Sequence, residues 1–101
     1  MLKYDCFLQT YSSASPWLYV APFGMRKIVN WAKDHYNNPE IIIFENGYSD
    51  SQGNLDDLQR IYYFKHYINE LLKAIKIDGV NVTGYFAWSL LDNFEWDRGY
   101  R

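Results

Sequence analysis

Four side chains in this 101-residue sequence have types and spacing that suit chemistry: Glu45, Trp88, Glu95 and Trp96. Glu45 ends the run Ile41-Ile42-Ile43-Phe44 and is followed by Asn46-Gly47. A short β-branched run stopped by a carboxylate and a turn dipeptide reads as a buried strand with a charge at its C-terminal end. α/β barrels and open α/β sheets build their sites at that end. Carboxylates accept hydrogen bonds from sugar hydroxyls, and indole rings stack on the apolar face of a pyranose, so the four side chains suit carbohydrate. A carboxylate fixed beneath an anomeric carbon can also act as the nucleophile of retaining glycoside hydrolysis. That chemistry needs a second carboxyl about 5–5.5 Å away to protonate the leaving oxygen. Glu95 is a candidate by type, although Phe94 and Trp96 beside it suit a ligand-holding loop better. The alternative for Glu45 is a solvated strand end, the usual place of a carboxylate.

The flanking sequence supplies elements to position these groups. Pro22 suits the first turn of a helix whose Met25, Ile28, Val29, Ala32 and Tyr36 share a face, and Asn37-Asn38-Pro39 ends it. In the strand that follows, alternation puts Ile41, Ile43 and Glu45 inside a barrel, with Ile42 and Phe44 packed outward against helices. Asp56 or Asp57 can cap a second helix, with Asp56 and Arg60 spaced for an ion pair. Leu58, Ile61, Tyr62, Phe64, Tyr67, Ile68, Leu71, Leu72 and Ile75 give that helix a broad apolar face, and Asp78-Gly79 ends it. Val82 to Ser89 reads as a second strand, with Val82, Gly84, Phe86 and Trp88 on one face. Met1 to Ala21 has no periodicity, and Ser12, Ser13, Ser15 and Pro16 mark it as a loop or connection. Helix, strand, helix, strand predicts a parallel sheet joined by right-handed crossovers. A (β/α)8 barrel takes about 250 residues, and two parallel strands with open edges fold poorly alone. Residues 1–101 are therefore expected to be a fragment of a single, larger α/β domain.

Composition narrows the classes further. A net charge of -2 with 49% hydrophobic residues is globular in character and offers no basic patch, so no nucleic-acid partner is expected. No apolar run approaches the roughly 18 residues of a membrane span, and Met1 to Thr10 lacks a signal-peptide core. Cys6 is the only cysteine, which excludes an intrachain disulfide and leaves the compartment open. His35, His66 and Cys6 show no metal-ligand spacing, and neither a phosphate-binding glycine loop nor a Gly-x-Ser-x-Gly elbow occurs, so no cofactor or metal is expected. The 4 Trp, 10 Tyr and 6 Phe are an unusual load, most of it assignable to core. Asn81-Val82-Thr83 fits a glycosylation sequon, but it opens an expected buried strand and is read as coincidence.

Ile43-Phe44-Glu45-Asn46-Gly47 resembles the I/V-T-E-N-G nucleophile segment of glycoside hydrolase family 1. Gly84-Tyr85-Phe86-Ala87-Trp88-Ser89-Leu90-Leu91-Asp92-Asn93-Phe94-Glu95-Trp96, then Gly99-Tyr100, closely resembles that family's sugar-binding segment. Pro22 to Lys27, Tyr36 to Pro39, and Asp57 to Arg60 with His66 look like the surrounding helices and turn. The likeness covers nearly all of residues 16–101 and is closest to animal β-glucosidases and lactase-type enzymes. It implies part of a (β/α)8 TIM barrel, from about helix six to strand eight and the following loop, in a retaining β-glycosidase. It also implies Glu45 as nucleophile, Trp88 stacking on the sugar, Glu95 holding the hydroxyls at C4 and C6, and Trp96 donating to the hydroxyl at C3. Asn46, Asn93 and Tyr48 read as turn and support residues. Two substitutions depart from the family pattern: Phe44 replaces a threonine and is expected to change packing against helices, and Phe23 stands where tryptophan is common. No T-F-N-E-P segment, which carries the family's acid/base, occurs among these residues, and the remainder of the barrel is missing. The expected ligand is a β-glucoside or related small glycoside, with the isolated chain inactive. The alternative is a non-catalytic sugar-binding or interaction remnant of the same fold.

Overall fold

The computed structural model describes residues 11–15, 17–50, 53 and 55–100, and the expectations for Cys6 and for Met1 to Thr10 lie outside them. Two short strands, β1 (Tyr11–Ser12) and β2 (Tyr19–Val20), pair antiparallel. They add a small ladder inside the stretch expected to be an irregular connection. The chain then runs through α1 (Pro22–His35), β3 (Ile41–Asn46), α2 (Leu58–Lys76) and β4 (Val82–Ala87), closing with a 3-10 turn at Trp96–Arg98. β3 and β4 are parallel neighbours joined through α2.

Local chemistry explains the boundaries. Pro22 occupies the first turn of α1, where its missing N–H costs nothing. Asn37 and Asn38 leave α1 with φ of 57° and 51°, a left-handed step that asparagine tolerates. Gly79, at φ 69°, turns the chain out of α2. Asp57 stands at the N-cap of α2 but makes no capping bond. Its carboxylate instead accepts from Arg60 at 2.7 Å, so the ion pair is Asp57–Arg60 and not the expected Asp56–Arg60.

The core is narrower than the apolar patterns suggested. Met25 and Val29 of α1 meet Tyr63, Tyr67, Leu71 and Ala74 of α2, with Val20 and Val80. Residues 63, 67, 71 and 74 follow one ridge of the helix. Leu58, Ile61, Tyr62, Ile68 and Leu72, expected to share this face, are exposed, as are Ile28 and Tyr36 on α1. Asp78 ties α1 to the turn after α2. Arg26 donates to it in bidentate fashion at 2.7 Å, Asn30 donates at 2.7 Å, and Lys33 donates to its backbone carbonyl at 2.6 Å. The Arg26 guanidinium, then the Asn30 amide, hold the Asp78 carboxyl far below the usual carboxylate range.

The sheet reverses one expectation. Ile41, Ile43, Val82 and Tyr85 pack against the helical core, while Phe44 is 76% exposed on the opposite face, stacked on Phe86 at 6.0 Å. Phe44 therefore does not pack against helices, and Ile41 and Ile43 do not face away from them. Alternation along Ile41–Phe44 is as expected, but the helices cover the face of Ile41 and Ile43 and not that of Phe44. The ladder also carries two irregularities. The register runs Ile41↔Val82 then Ile42↔Gly84, and Ile43↔Tyr85 then Asn46↔Ala87. Each slip adds one residue to one strand and exchanges which side chains face which layer. Val82 consequently faces the core, and Gly84 lies against Ile42 on the uncovered side, where an added Cβ would meet Ile42 Cγ2 at 3.0 Å. Asn81 precedes β4 and, like Thr83, is exposed, so the reason for dismissing the sequon, a buried strand, does not hold there.

Candidate active site

The C-terminal ends of β3 and β4 lie side by side. Glu45, exposed, falls within the irregular stretch between Ile43 and Asn46, and Trp88 follows directly on Ala87, the register partner of Asn46. Trp88 N–H donates to the Asn46 carbonyl at 2.9 Å. Gly47 lets the strands approach: a Cβ there would stand 1.8 Å from Trp88 O and 2.9 Å from its carbonyl carbon. Only glycine fits. The segment bearing the carboxylate and the segment bearing the indole are thus locked together at one rim. The Trp88–Ser89 peptide is cis.

Asn46 is held from three directions. Beyond its carbonyl, its Nδ2 donates to Tyr63 OH at 2.9 Å and its Oδ1 accepts from Tyr85 OH at 2.8 Å. Tyr63 is 2% exposed, stacked on Tyr67 at 4.1 Å, and Tyr67 OH in turn accepts from the Ala21 N–H at 2.9 Å. Burial first, then Tyr67, raises the Tyr63 phenol above its ordinary range, and burial pushes Tyr85 up to about 12. Both hydroxyls stay protonated at neutral pH. Tyr48, tilted against Tyr63 at 5.8 Å, donates to Gln59 Oε1 at 2.7 Å and ties the loop after β3 to α2.

The loop after β4 carries the other candidates. Trp88 Nε1 donates to Glu95 Oε1 at 2.9 Å, so indole and carboxylate orient each other. Trp96 opens the 3-10 turn at φ 48° and is 82% exposed, which leaves its indole outside this pair. Glu95 N–H donates to Gly99 O at 2.8 Å, closing that turn, and Asn93 Nδ2 donates to Ser89 Oγ at 2.6 Å, bracing the loop. Trp88, Leu90, Leu91, Phe94 and Trp96 line an open hollow of about 660 Å³. It lies within the loop and does not include Glu45, so strand register and not this hollow relates the carboxylate to the indoles. The sequence alone marks Asn46 as a turn and support residue and Gly47 as part of a turn, and gives Tyr63 and Tyr85 no role at the site. The repeat of Tyr63, Tyr67 and Leu71 every four residues was the available signal for Tyr63. Among the described residues no cluster of three or more His, Cys, Asp or Glu could hold a metal, and no helix is long and apolar enough to cross a membrane.

These features coincide with known proteins. Residues 4–101 match the family described as Glycosyl hydrolase family 1. The chain is 54% identical over 85 residues to the human cytosolic beta-glucosidase, covering 83% of this chain and 18% of that one. It is 53% identical over 89 residues to the lactase/phlorizin hydrolase of Rattus norvegicus, covering 87% of this chain and 5% of that protein. A rice beta-glucosidase crystal structure superposes with a TM-score of 0.85 at 46% identity, covering 90% of this chain and 20% of the rice enzyme. The chain spans a fifth or less of the length of these relatives.

Proposed function

The chain belongs to glycosyl hydrolase family 1, and from that premise we propose that it forms part of a retaining β-glycosidase acting on β-glucosides. In this reading residues 1–101 are one portion of a single (β/α)8 domain, from about helix six to strand eight with the following loop. Glu45 attacks the anomeric carbon and carries the glycosyl group as an ester while the leaving oxygen takes a proton. Water then attacks the same carbon, the ester breaks, and Glu45 leaves as a carboxylate. Trp88 stacks on the sugar ring, Glu95 receives its hydroxyls and Trp96 adds an indole donor. The proton for the leaving group comes from an acid/base residue that these 101 residues do not carry. The observation that supports the reading best is the lock between the two motif segments. Trp88 N–H bonded to Asn46 O, and Trp88 O closed over Gly47, hold the carboxylate strand and the indole strand at one rim.

The test is a chimera in which residues 17–100 replace the matching stretch of the human cytosolic beta-glucosidase. The reading expects the chimera to hydrolyse an aryl β-glucoside with retained configuration and Glu45→Gln to abolish turnover. Undiminished turnover by Glu45→Gln, or inverted product, would refute it.

A further inference from the structure

We propose that Tyr63 and Tyr85 are positioning residues for Glu45, acting through the side chain of Asn46. The inference rests on Glu45 being the nucleophile, as proposed above, and extends that role to two residues at one remove. Glu45 sits in a stretch of β3 that carries one more residue than β4 opposite it. An extra residue frees the local backbone from the ladder, so the ladder alone does not fix where Glu45 points. Something must pin the downstream end of the irregular stretch. Asn46 is that point, since its side-chain and carbonyl contacts run to three supports: α2 through Tyr63 OH, β4 through Tyr85 OH, and the segment after β4 through Trp88 N–H.

The supports are themselves fixed. Tyr63 is buried between Tyr67 and Tyr48, in T-shaped contact with Phe64, and its ring has no room to swing. Tyr85 lies in the sheet, packed on the same core. The amide orientation follows from the chemistry of the partners, because Asn46 needs an acceptor on its nitrogen side and a donor on its oxygen side. Tyr63 OH accepts while Tyr85 OH donates, and the donating phenol, Tyr85, must carry its proton. A displacement of about 1 Å at a reacting group costs on the order of 10²-fold in rate. Losing one of two anchors on the residue next to the nucleophile should cost a fraction of that.

The chimera carrying residues 17–100 tests this with Tyr63→Phe, Tyr85→Phe and the double variant. Each removes one hydroxyl and keeps the ring. Two readouts are followed: kcat against KM on an aryl β-glucoside, and the rate at which a fluorinated glucoside labels Glu45. Each single variant is expected to lower kcat and the labelling rate about tenfold with KM held within twofold. The double variant is expected to lose less than the product of the singles, since both act through one amide. Tyr63→Phe that lowers thermal stability but leaves kcat and labelling within twofold of the parent would overturn the proposal and leave Tyr63 a core residue. The same result in Tyr85→Phe decides the matter if Tyr63→Phe does not fold. A parent chimera that neither turns over nor labels at Glu45 overturns the nucleophile assignment and the clamp with it, whereas labelling in the parent at an unchanged rate in both variants overturns the clamp alone.

Discussion

Gly47→Ala is the most informative single change, because the structure sets its size. The added methyl would stand 1.8 Å from Trp88 O, against 3.4 Å for ordinary contact, and the obstacle is backbone that cannot rotate aside. Relief needs about 1.6 Å of separation between the two segments. That movement would break the 2.9 Å bond from Trp88 N–H to Asn46 O. Overpacking costs about 1–3 kcal/mol and the lost hydrogen bond about 0.5–1.5, so the local penalty is about 2–4 kcal/mol. The catalytic consequence is larger, since Glu45 and Trp88 would part by more than the ~1 Å that already costs on the order of 10²-fold. The assay is kcat/KM of the chimera on an aryl β-glucoside, with thermal inactivation measured alongside. Gly24→Ala is the control: it sits in α1 with nothing within 4 Å of an added Cβ and should be neutral or stabilising by about 0.5–1 kcal/mol. If Gly47→Ala keeps kcat/KM within threefold of the parent, the two segments are not locked as described.

Three further outcomes follow from the same geometry. On the proposed reading, in which the acid/base lies outside these residues and its help is worth about 10²–10⁴-fold, the isolated 101-residue chain should hydrolyse an aryl β-glucoside at background only; turnover removed by Glu45→Gln would contradict this. Trp88→Phe keeps a stacking ring but deletes the indole N–H that orients Glu95, so the ratio of kcat/KM for glucoside over galactoside should shift by about tenfold, and an unchanged ratio would separate Glu95 from that choice. The depressed Asp78 carboxyl stabilises the fold most above the ordinary carboxylate range and loses that contribution as pH falls below about 4, because the unfolded chain takes up the proton first. Thermal inactivation midpoints at pH 6 and pH 3 should therefore fall further for the parent than for Asp78→Asn; equal falls would remove Asp78 from the acid response.

Much of this was legible in the sequence, for identifiable reasons. Pro22, the Asn37-Asn38-Pro39 stop and Asp78-Gly79 mark helix ends through backbone chemistry that does not depend on tertiary context, and the structure places them there. The parallel pairing of the two strands followed from the helix between them. The faces were not legible. Alternation along Ile41–Phe44 held, but alternation does not say which face the helices cover. They cover Ile41 and Ile43 and leave Phe44 beside Phe86 on the other side. Only Val82 changed face through a register slip, the one between Val82 and Gly84. The core ridge of α2 was blurred for a different reason: Ile61, Ile68 and Leu72 are apolar but exposed here, and they widen the apolar face until the ridge of Tyr63, Tyr67 and Leu71 is lost within it. At the candidate site, Glu45 and Trp88 stood out by type and by their place at the strand ends. Tyr63 and Tyr85 did not, because a tyrosine within an apolar stretch reads as core until its hydroxyl finds a partner.

The most direct measurement is where a fluorinated glucoside attaches. The chimera is incubated with the reagent, digested, and the modified residue identified by mass spectrometry. One glycosyl group on Glu45, lost in Glu45→Gln, is the predicted result; attachment to Glu95 or another carboxylate, or hydrolysis continuing with Glu45 unmodified, would contradict it.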